Sequence, residues 1–289
     1  MISFARKVKD ELCELPVKST CCRASLLYGF LQFSTLEDDG AINFTTENEN
    51  VLSLYEKLLI EVISGECEID YYGQGYRLSI TGRDTLFSVY SRFGDLNSFN
   101  NNVFKCEFCR RHYFRGAFLC RGTVNSLDAP FHLEIDCPNL GADTFDLLKP
   151  IGIRFKYSTR ARDGKLYLKD GGSIESFLHY IEARSAAFAV SEEIIMREIR
   201  SKINRQNNFE VANQQRTIDA GSKYTNAINK LRKSNMLSSL PPDLQITAEL
   251  KMKYPDVPLS ELAGLHDPKI SKSGLYHRLE RLVEAANEL

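Results

Sequence analysis

Apolar positions change their period along this chain, and the changes divide it into three parts. At the start Phe4, Val8 and Leu12 recur every four residues. That spacing predicts an amphipathic helix over 3–15, with Ser3 as its N-cap. From there to about residue 183, helical runs alternate with short strand-like runs. The run Cys22–Leu31 predicts a buried helix carrying Gly29. It is followed by a strand over Ala41–Thr45, a helix over Asn50–Ser64, a hairpin (Cys67–Tyr72 and Tyr76–Thr81, turning at Gly73-Gln74-Gly75) and a helix over Asp84–Phe93. The same order returns after Cys109. The stretch Tyr113–Ser126 predicts an apolar helix with Gly116 inside it and Gly122 at its C-cap. Strands follow around Thr123–Asn125 and Phe131–Asp136, then a helix over Gly141–Lys149. A second hairpin, Ile153–Ser158 to Lys165–Lys169, is closed by Asp163-Gly164, and a helix over Ser173–Glu182 ends the unit.

Set side by side, the two runs coincide. Cys22, Arg23 and Gly29 fall on Cys109, Arg110 and Gly116 at an offset of 87 residues, and Ile80 falls on Leu168 at an offset of 88. Two anchors so far apart predict an internal duplication, with repeats at about 16–100 and 104–183, each αββαββα. A glycine inside a helix costs about 1 kcal/mol relative to alanine, so each interior glycine needs a reason. Close approach of another backbone supplies one, and it predicts that the two glycine-bearing helices pack on each other at a pseudo-two-fold axis.

Strand signals vanish after residue 183. Phe188, Ile195 and Ile199 keep helical spacing within 186–203, and Asn213–Lys233 is rich in Asn, Gln, Arg and Lys. Ile218, Tyr224, Ile228 and Leu231 give it a thin apolar stripe. Residues 184–237 therefore read as a helical arm, ended by the linker Ser238-Ser239-Leu240-Pro241-Pro242. The last segment, 238–289, carries three helical patterns. The first is about Leu244–Tyr254, with Ile246, Leu250 and Tyr254 on one face, and the second about Leu259–Leu265. The third opens at Ser271 and runs along Leu275, Leu279, Leu282 and Val283. A short helix, a turn and a longer helix opening Ser-Lys-Ser is helix-turn-helix geometry. The fold class expected is α+β: a duplicated αββαββα domain over 1–183, then an all-α helix-turn-helix domain.

Composition adds little about the fold and more about partners. Hydrophobic residues make up 43% and charged residues 26%, as in ordinary soluble domains. The net charge of −1 is unevenly spread. Residues 1–183 hold 21 Lys+Arg against 25 Asp+Glu, and residues 184–289 hold 16 against 13, so the C-terminal part is the one that suits an anionic partner. The N-terminus shows no leader-like apolar stretch, and no run approaches the roughly 18 apolar residues of a membrane span. A cytoplasmic protein with reduced cysteines is expected.

The exposed face of the third C-terminal helix offers Ser271, Lys272, Ser273, Tyr276, His277, Arg278 and Arg281. Hydroxyls at a helix start suit phosphate oxygens, and cations further along reach base edges in the major groove of double-stranded DNA. A face of solvated charges serving protein contacts is the alternative. The hairpin of the second repeat offers Arg154, Lys156, Arg160, Arg162, Lys165 and Lys169, whereas the first has Arg77 and Arg83 amid Glu66, Glu68 and Asp70. Such a half-acidic surface is a poor clamp for DNA and a better site for a protein partner. Cys106-x-x-Cys109 has metal-like spacing, but Cys21-Cys22 are adjacent and look poorly disposed to complete a ligand set. Buried thiols, with Cys22 and Cys109 near each other across the pseudo-axis, are expected instead of a metal. No small-molecule substrate and no cofactor is indicated.

The chain also resembles the WhiA family of bacterial DNA-binding proteins, which join a degenerate LAGLIDADG homing-endonuclease-like domain to a helix-turn-helix. The resemblance spans essentially the whole chain. It rests on Ser3-Phe4, Cys21-Cys22-Arg23, Arg115–Leu119, Gly122–Asn125 and His132–Ile135. Asn204-Arg205, Ala212-Asn213, Ile270–Gly274 and His277-Arg278-Leu279 carry it through the C-terminal part. Phe108 departs from it, standing where the first of two adjacent cysteines is usual. The resemblance implies transcriptional regulation, sporulation, cell division or chromosome segregation at the nucleoid. It also implies where catalysis would reside, since active endonucleases of this fold hold divalent metal on an acidic residue at the eighth position of each motif. Those positions are Ser34 and Arg121 here, one neutral and one cationic. Hard divalent cations need oxygen ligands, so a non-catalytic protein is expected. An endonuclease using displaced carboxylates such as Glu37-Asp38-Asp39 is the competing reading.

Overall fold

Two largely buried helices cross where each lacks a side chain. In the computed structural model, α2 (Thr20–Phe33) is buried almost throughout, and so is α5 (Cys109–Arg121). A Cβ on Gly29 would lie 2.1 Å from the carbonyl oxygen of Tyr113, and one on Gly116 would lie 2.2 Å from that of Leu26. Each glycine thus admits the other helix's backbone, as the interior glycines predict.

The structure describes residues 2–138, 140, 152–158 and 164–289, with the side chains of 214, 216–218, 220 and 221 left aside. The helix expected over Gly141–Lys149, together with Arg160, Arg162 and the turn at Asp163, lies outside the described residues. Contacts divide the chain into two compact units, Met1–Arg197 and Glu198–Leu289.

In the first unit, α1 (Phe4–Glu14) is capped by Ser3, whose hydroxyl accepts from the Arg6 N–H at 3.2 Å. From α2 the chain runs through β1 (Thr35–Leu36), β2 (Ile42–Thr46), α3 (Glu49–Ile63), β3 (Glu68–Tyr72), β4 (Gly75–Ile80) and α4 (Arg83–Phe93). From α5 it runs through β5 (Gly122–Val124), β6 (Leu133–Cys137), β7 (Lys156–Ser158), β8 (Gly164–Leu168) and α6 (Gly171–Tyr180). Each half builds one antiparallel sheet, ordered β1-β2-β4-β3 and β5-β6-β8-β7. The matching order is the duplication expressed in space. Phe44, Leu78 and Ile80 in one sheet and Leu133, Ile135, Leu166 and Leu168 in the other share one core with α2 and α5. β1 is the strand that hydrophobic alternation does not reveal, since two residues show no period.

Buried polar groups tie this core together rather than disrupt it. The Tyr113 hydroxyl donates to Gln32 Oε1 at 2.8 Å, and Gln32 Nε2 donates to the Ser98 carbonyl at 2.8 Å. Arg115 is fully buried; it donates to the carbonyls of Leu12 and Leu15, the latter at 2.7 Å, and its charge faces Glu182 at 3.8 Å. α5 is thereby held to the end of α1.

The expected arm is a single 50-residue helix, α7 (Arg184–Lys233). Its start is fixed to the first unit by Glu11, whose carboxylate accepts from the N–H groups of Ser185 at 2.7 Å and Ala186 at 3.0 Å. Arg197 adds bonds to the carbonyls of Leu127 and Ala129, both at 2.6 Å. The face buried there is Ala183, Ala186, Ala187 and Val190, whereas Phe188, Ile195 and Ile199 are exposed. The spacing predicts the helix but does not show its inner face, because the small residues do the packing.

The C-terminal unit begins earlier than 238. Tyr224, Ala227, Ile228 and Leu231 of α7 share one core with α8 (Pro242–Lys253), α9 (Leu259–Gly264) and α10 (Lys272–Asn287). The sparse apolar stripe was enough because it is the fourth wall of a small core. Pro242 starts α8 rather than ending a linker, as proline at the first helical position allows. The inward face of α8 is Leu244, Thr247, Ala248 and Lys251, and Ile246 is exposed. Thr247 is accommodated because its hydroxyl donates to the Asp243 carbonyl at 2.8 Å and meets His266 Nε2 at 3.1 Å.

The glycine crossing yields a test. Gly116→Ala raises helix propensity by about 1 kcal/mol, but its methyl meets a backbone oxygen that cannot turn aside. The clash wins, and chemical denaturation is expected to show a loss of about 3 kcal/mol or more. A more stable variant would mean that the helices do not cross at this residue.

Candidate functional site

The cross between α2 and α5 brings together the two positions where catalytic carboxylates would stand. Ser34 is buried; its hydroxyl donates to the Phe30 carbonyl at 2.8 Å and lies 3.2 Å from the Tyr55 hydroxyl. Arg121 Nε donates to the Phe33 carbonyl at 3.0 Å, and its guanidinium also reaches Thr35 Oγ1. Lys9 adds a second cation nearby. Burial pushes its ammonium below the usual range, and the Arg121 charge adds to that push. The place is filled by hydrogen-bonded side chains and is cationic, so it opposes a divalent ion. Glu37, Asp38 and Asp39 are exposed in the turn from β1 to β2, where Asp39 accepts from the Ala41 N–H at 3.0 Å and Glu37 from the Asn43 amide at 3.0 Å.

The residues expected to touch DNA lie on and before α10. Ser271 is its N-cap, and its hydroxyl accepts from the Gly274 N–H at 3.0 Å. Lys272, Ser273, Tyr276, His277 and Arg281 are exposed on one side, opposite the buried Leu275, Leu279, Leu282 and Ala286. Arg278 is set apart from them. It is only partly exposed and its Nε sits 3.5 Å from Asp243 at the start of α8, so an internal partner already holds it. Glu280 stands on the same outward side and is also engaged. It accepts from Lys223 Nζ at 2.8 Å on both oxygens and from the Tyr224 hydroxyl at 2.9 Å. Those bonds hold its carboxyl below the usual range, and burial beside that charge raises the Tyr224 phenol. Sequence reasoning missed this trio because its members lie more than fifty residues apart (57 and 56 positions) with no shared motif.

The basic hairpin of the second repeat is less cationic than its composition suggests. Lys165 pairs with Asp136 at 2.9 Å and with Glu134 at 3.5 Å, and Asp136 holds its ammonium above the usual range. Glu134 also meets His132 at 3.2 Å. In the first repeat Arg77 stacks over the Tyr72 ring at 4.0 Å.

One expectation about the cysteines needs correction. Cys21 and Cys22 are not badly placed to join Cys106 and Cys109, since the four sulfurs lie within 4.8 Å of one another. Adjacency along the chain hid this, because α2 starts against the turn that leads into α5.

Comparison with known proteins bears on both parts of the chain. A family model described as the WhiA LAGLIDADG-like domain matches residues 110–200, and one described as the WhiA C-terminal HTH domain matches residues 203–286. The chain is 30% identical over 313 residues to the probable cell division protein WhiA of Clostridium botulinum, covering all of this chain and 99% of that protein. It is 29% identical over 307 residues to the protein of the same name from Natranaerobius thermophilus, covering 96% of it. Among solved structures, full-length WhiA from Thermotoga maritima superimposes with a TM-score of 0.57 at 21% identity, covering 100% of this chain and 99% of that one, which shows the shared fold. No helix among the described residues is long and apolar enough to cross a membrane.

The Lys223–Glu280–Tyr224 trio can be tested directly. Glu280→Ala leaves the Tyr224 hydroxyl half-buried without its acceptor and is expected to cost about 1 kcal/mol. Hydrogen exchange along α10 and the end of α7 should speed up accordingly. Because the Glu280 carboxyl is lowered on folding, the wild-type advantage is present above its ordinary value of 4.5 and fades as pH falls through the lowered one. An advantage that persisted in acid would exclude the charged trio as its source.

Proposed function

The chain belongs to the WhiA family, and from that premise we propose that it is a non-catalytic, double-stranded-DNA-binding protein of cell division. It reads DNA through α10 and acts at the nucleoid. The observation that carries the reading is the outward side of α10. Lys272 and Ser273 stand exposed in its first turn, Tyr276 and His277 follow one turn on, and Arg281 lies beyond them. That is the order in which a recognition helix meets DNA: hydroxyls and cations to phosphate, longer side chains to base edges. The names of the relatives support cell division as the process served.

The first unit has a different role in this reading. Its metal-binding positions hold Ser34 and Arg121, and Lys165 is already neutralised by Asp136 and Glu134. Phosphate neutralisation supplies most of the affinity in a protein–DNA contact, and paired lysines contribute little to it. We assign this unit to a protein partner rather than to DNA. Transcriptional control and chromosome segregation are the two outlets open to such a protein. The distribution of its bound sites along a genome separates them: clustering at promoters supports the first, and clustering at a chromosomal domain without promoters supports the second.

Binding measurements with the full chain test the α10 assignment. Lys272→Ala and Arg281→Ala should each weaken binding to all duplexes and lower the slope of log affinity against log salt by about one. Tyr276→Ala and His277→Ala should reduce discrimination between sequences more than they reduce affinity. Arg278→Ala combines a lost cation with a lost Asp243 partner, so a thermal melt must accompany it. Unchanged salt slopes in both cation variants would remove α10 from the interface. Cleavage of duplex DNA with magnesium or manganese, abolished by changing a nearby carboxylate, would overturn the non-catalytic reading.

A further inference from the structure

The four cysteines gathered at the starts of α2 and α5 are the feature that DNA binding leaves unexplained. Cys21 and Cys22 lie in the first turn of α2, Cys109 is the first residue of α5, and Cys106 is in the turn before it. Cys106 Sγ lies 3.6 Å from Cys21 Sγ, 3.6 Å from Cys22 Sγ and 3.5 Å from Cys109 Sγ. All four thiols are free, and these separations are too long for a disulfide. They match something else. A zinc ion with four sulfurs at about 2.3 Å in a tetrahedron sets neighbouring sulfurs about 3.8 Å apart. An iron–sulfur cube lies between its ligands and would spread them beyond the observed 4.8 Å limit, so the space suits a single ion.

We propose that Cys21, Cys22, Cys106 and Cys109 form a mononuclear tetrathiolate site for zinc(II). Four thiolates around one ion make a closed shell with no open position, which is a structural rather than a catalytic site. Soft sulfur ligands in a tetrahedron favour zinc over the hard cations that oxygen ligands hold.

The surroundings are those a thiolate site requires. Two helix N-termini converge on it, and their unpaired N–H groups and dipoles favour negative charge. The Lys105 N–H donates to Cys109 Sγ at 3.4 Å, and the Phe108 N–H bonds Cys106. The Ser19 hydroxyl lies 3.0 Å from Cys21 Sγ. Such outer hydrogen bonds orient thiolate ligands and moderate their charge.

The site has a structural consequence. Cys21 and Cys22 belong to the first repeat, whereas Cys106 and Cys109 open the second. An ion held by all four clamps the two motif helices at their N-terminal ends, upstream of the Gly29–Gly116 crossing. It also fixes the turn that joins the repeats.

Metal analysis of the full chain, purified under reducing conditions with any affinity tag removed, tests the proposal. Elemental mass spectrometry should find one zinc per chain. Cobalt exchange should give the ligand-field and near-ultraviolet charge-transfer bands of a tetrathiolate centre. Cys106→Ser and Cys21→Ser change residues that are not fully buried, so both variants are expected to fold, as circular dichroism would verify. Each should lose zinc affinity by more than about tenfold, since three thiolates no longer close the shell. Cys67→Ser, outside the cluster, should retain full zinc. Folded wild-type protein that holds no zinc and gives no tetrathiolate cobalt spectrum overturns the proposal. So does stoichiometric iron in place of zinc, or undiminished zinc in both ligand variants.

Discussion

Everything in the first unit depends on two backbones passing at the distance that only glycine permits. Gly29 and Gly116 each stand against a carbonyl of the opposite helix, and no side chain would fit between. Once the helices cross there, little freedom remains for the elements attached to them. β1 and β5 must leave the two helix ends on equivalent paths, and the sheets must form with the same strand order. The core then closes around aromatic residues of both helices. Tyr28 stacks on Phe93 at 5.5 Å, Phe30 on Tyr55 at 4.6 Å, and Tyr113 meets Phe33 edge-on at 6.1 Å. Interiors packed in this manner do not deform gradually, so a single methyl at the crossing strains the whole unit.

Much of this was legible in the sequence, because glycine and cysteine punctuate both repeats at one offset. Duplication doubles every signal: a helix or hairpin that is ambiguous once is far less so when it returns 87 residues later. What stayed hidden has common physical causes. A period shows that a segment is helical without showing which side is buried: Phe188, Ile195 and Ile199 mark the helix, but Ala186, Ala187 and Val190 do the packing. The same holds for Ile246 against Thr247 and Lys251. Contacts between distant residues leave no local trace, which is why the Lys223–Glu280–Tyr224 trio and the Arg278–Asp243 pair were not foreseen. The cysteine cluster lies between these cases. Its two halves were visible at equivalent helix starts, but only the crossing of α2 and α5 brings Cys21 and Cys22 to Cys106 and Cys109.

The two units also differ in how they use charge. In the first, several basic side chains are spent internally: Arg115 on carbonyls of α1, Arg197 on those of Leu127 and Ala129, Lys165 on two carboxylates. In the second, Lys223 and Arg278 hold the core helices together while Lys272 and Arg281 remain exposed on α10. A side chain that already has a partner must lose it before it can bind a phosphate.

The end of the α2–α5 crossing shows why Arg121 is more than a lost carboxylate. α2 and β1 present the Phe33 carbonyl and the Thr35 hydroxyl there, and Arg121 binds both. A helix C-terminus carries partial negative charge, and two of them converge at this point, one from each repeat. A pair of carboxylates would add to that charge and would require a bound cation to balance it. Ser34 removes one negative charge, Arg121 replaces the other with a positive one, and Lys9 stands close by. In the non-catalytic reading proposed above, the protein's own side chains supply the positive charge that metal supplies in a nuclease. Restoring a carboxylate at one position alone would leave these cations in place and would give a salt bridge, not a metal site.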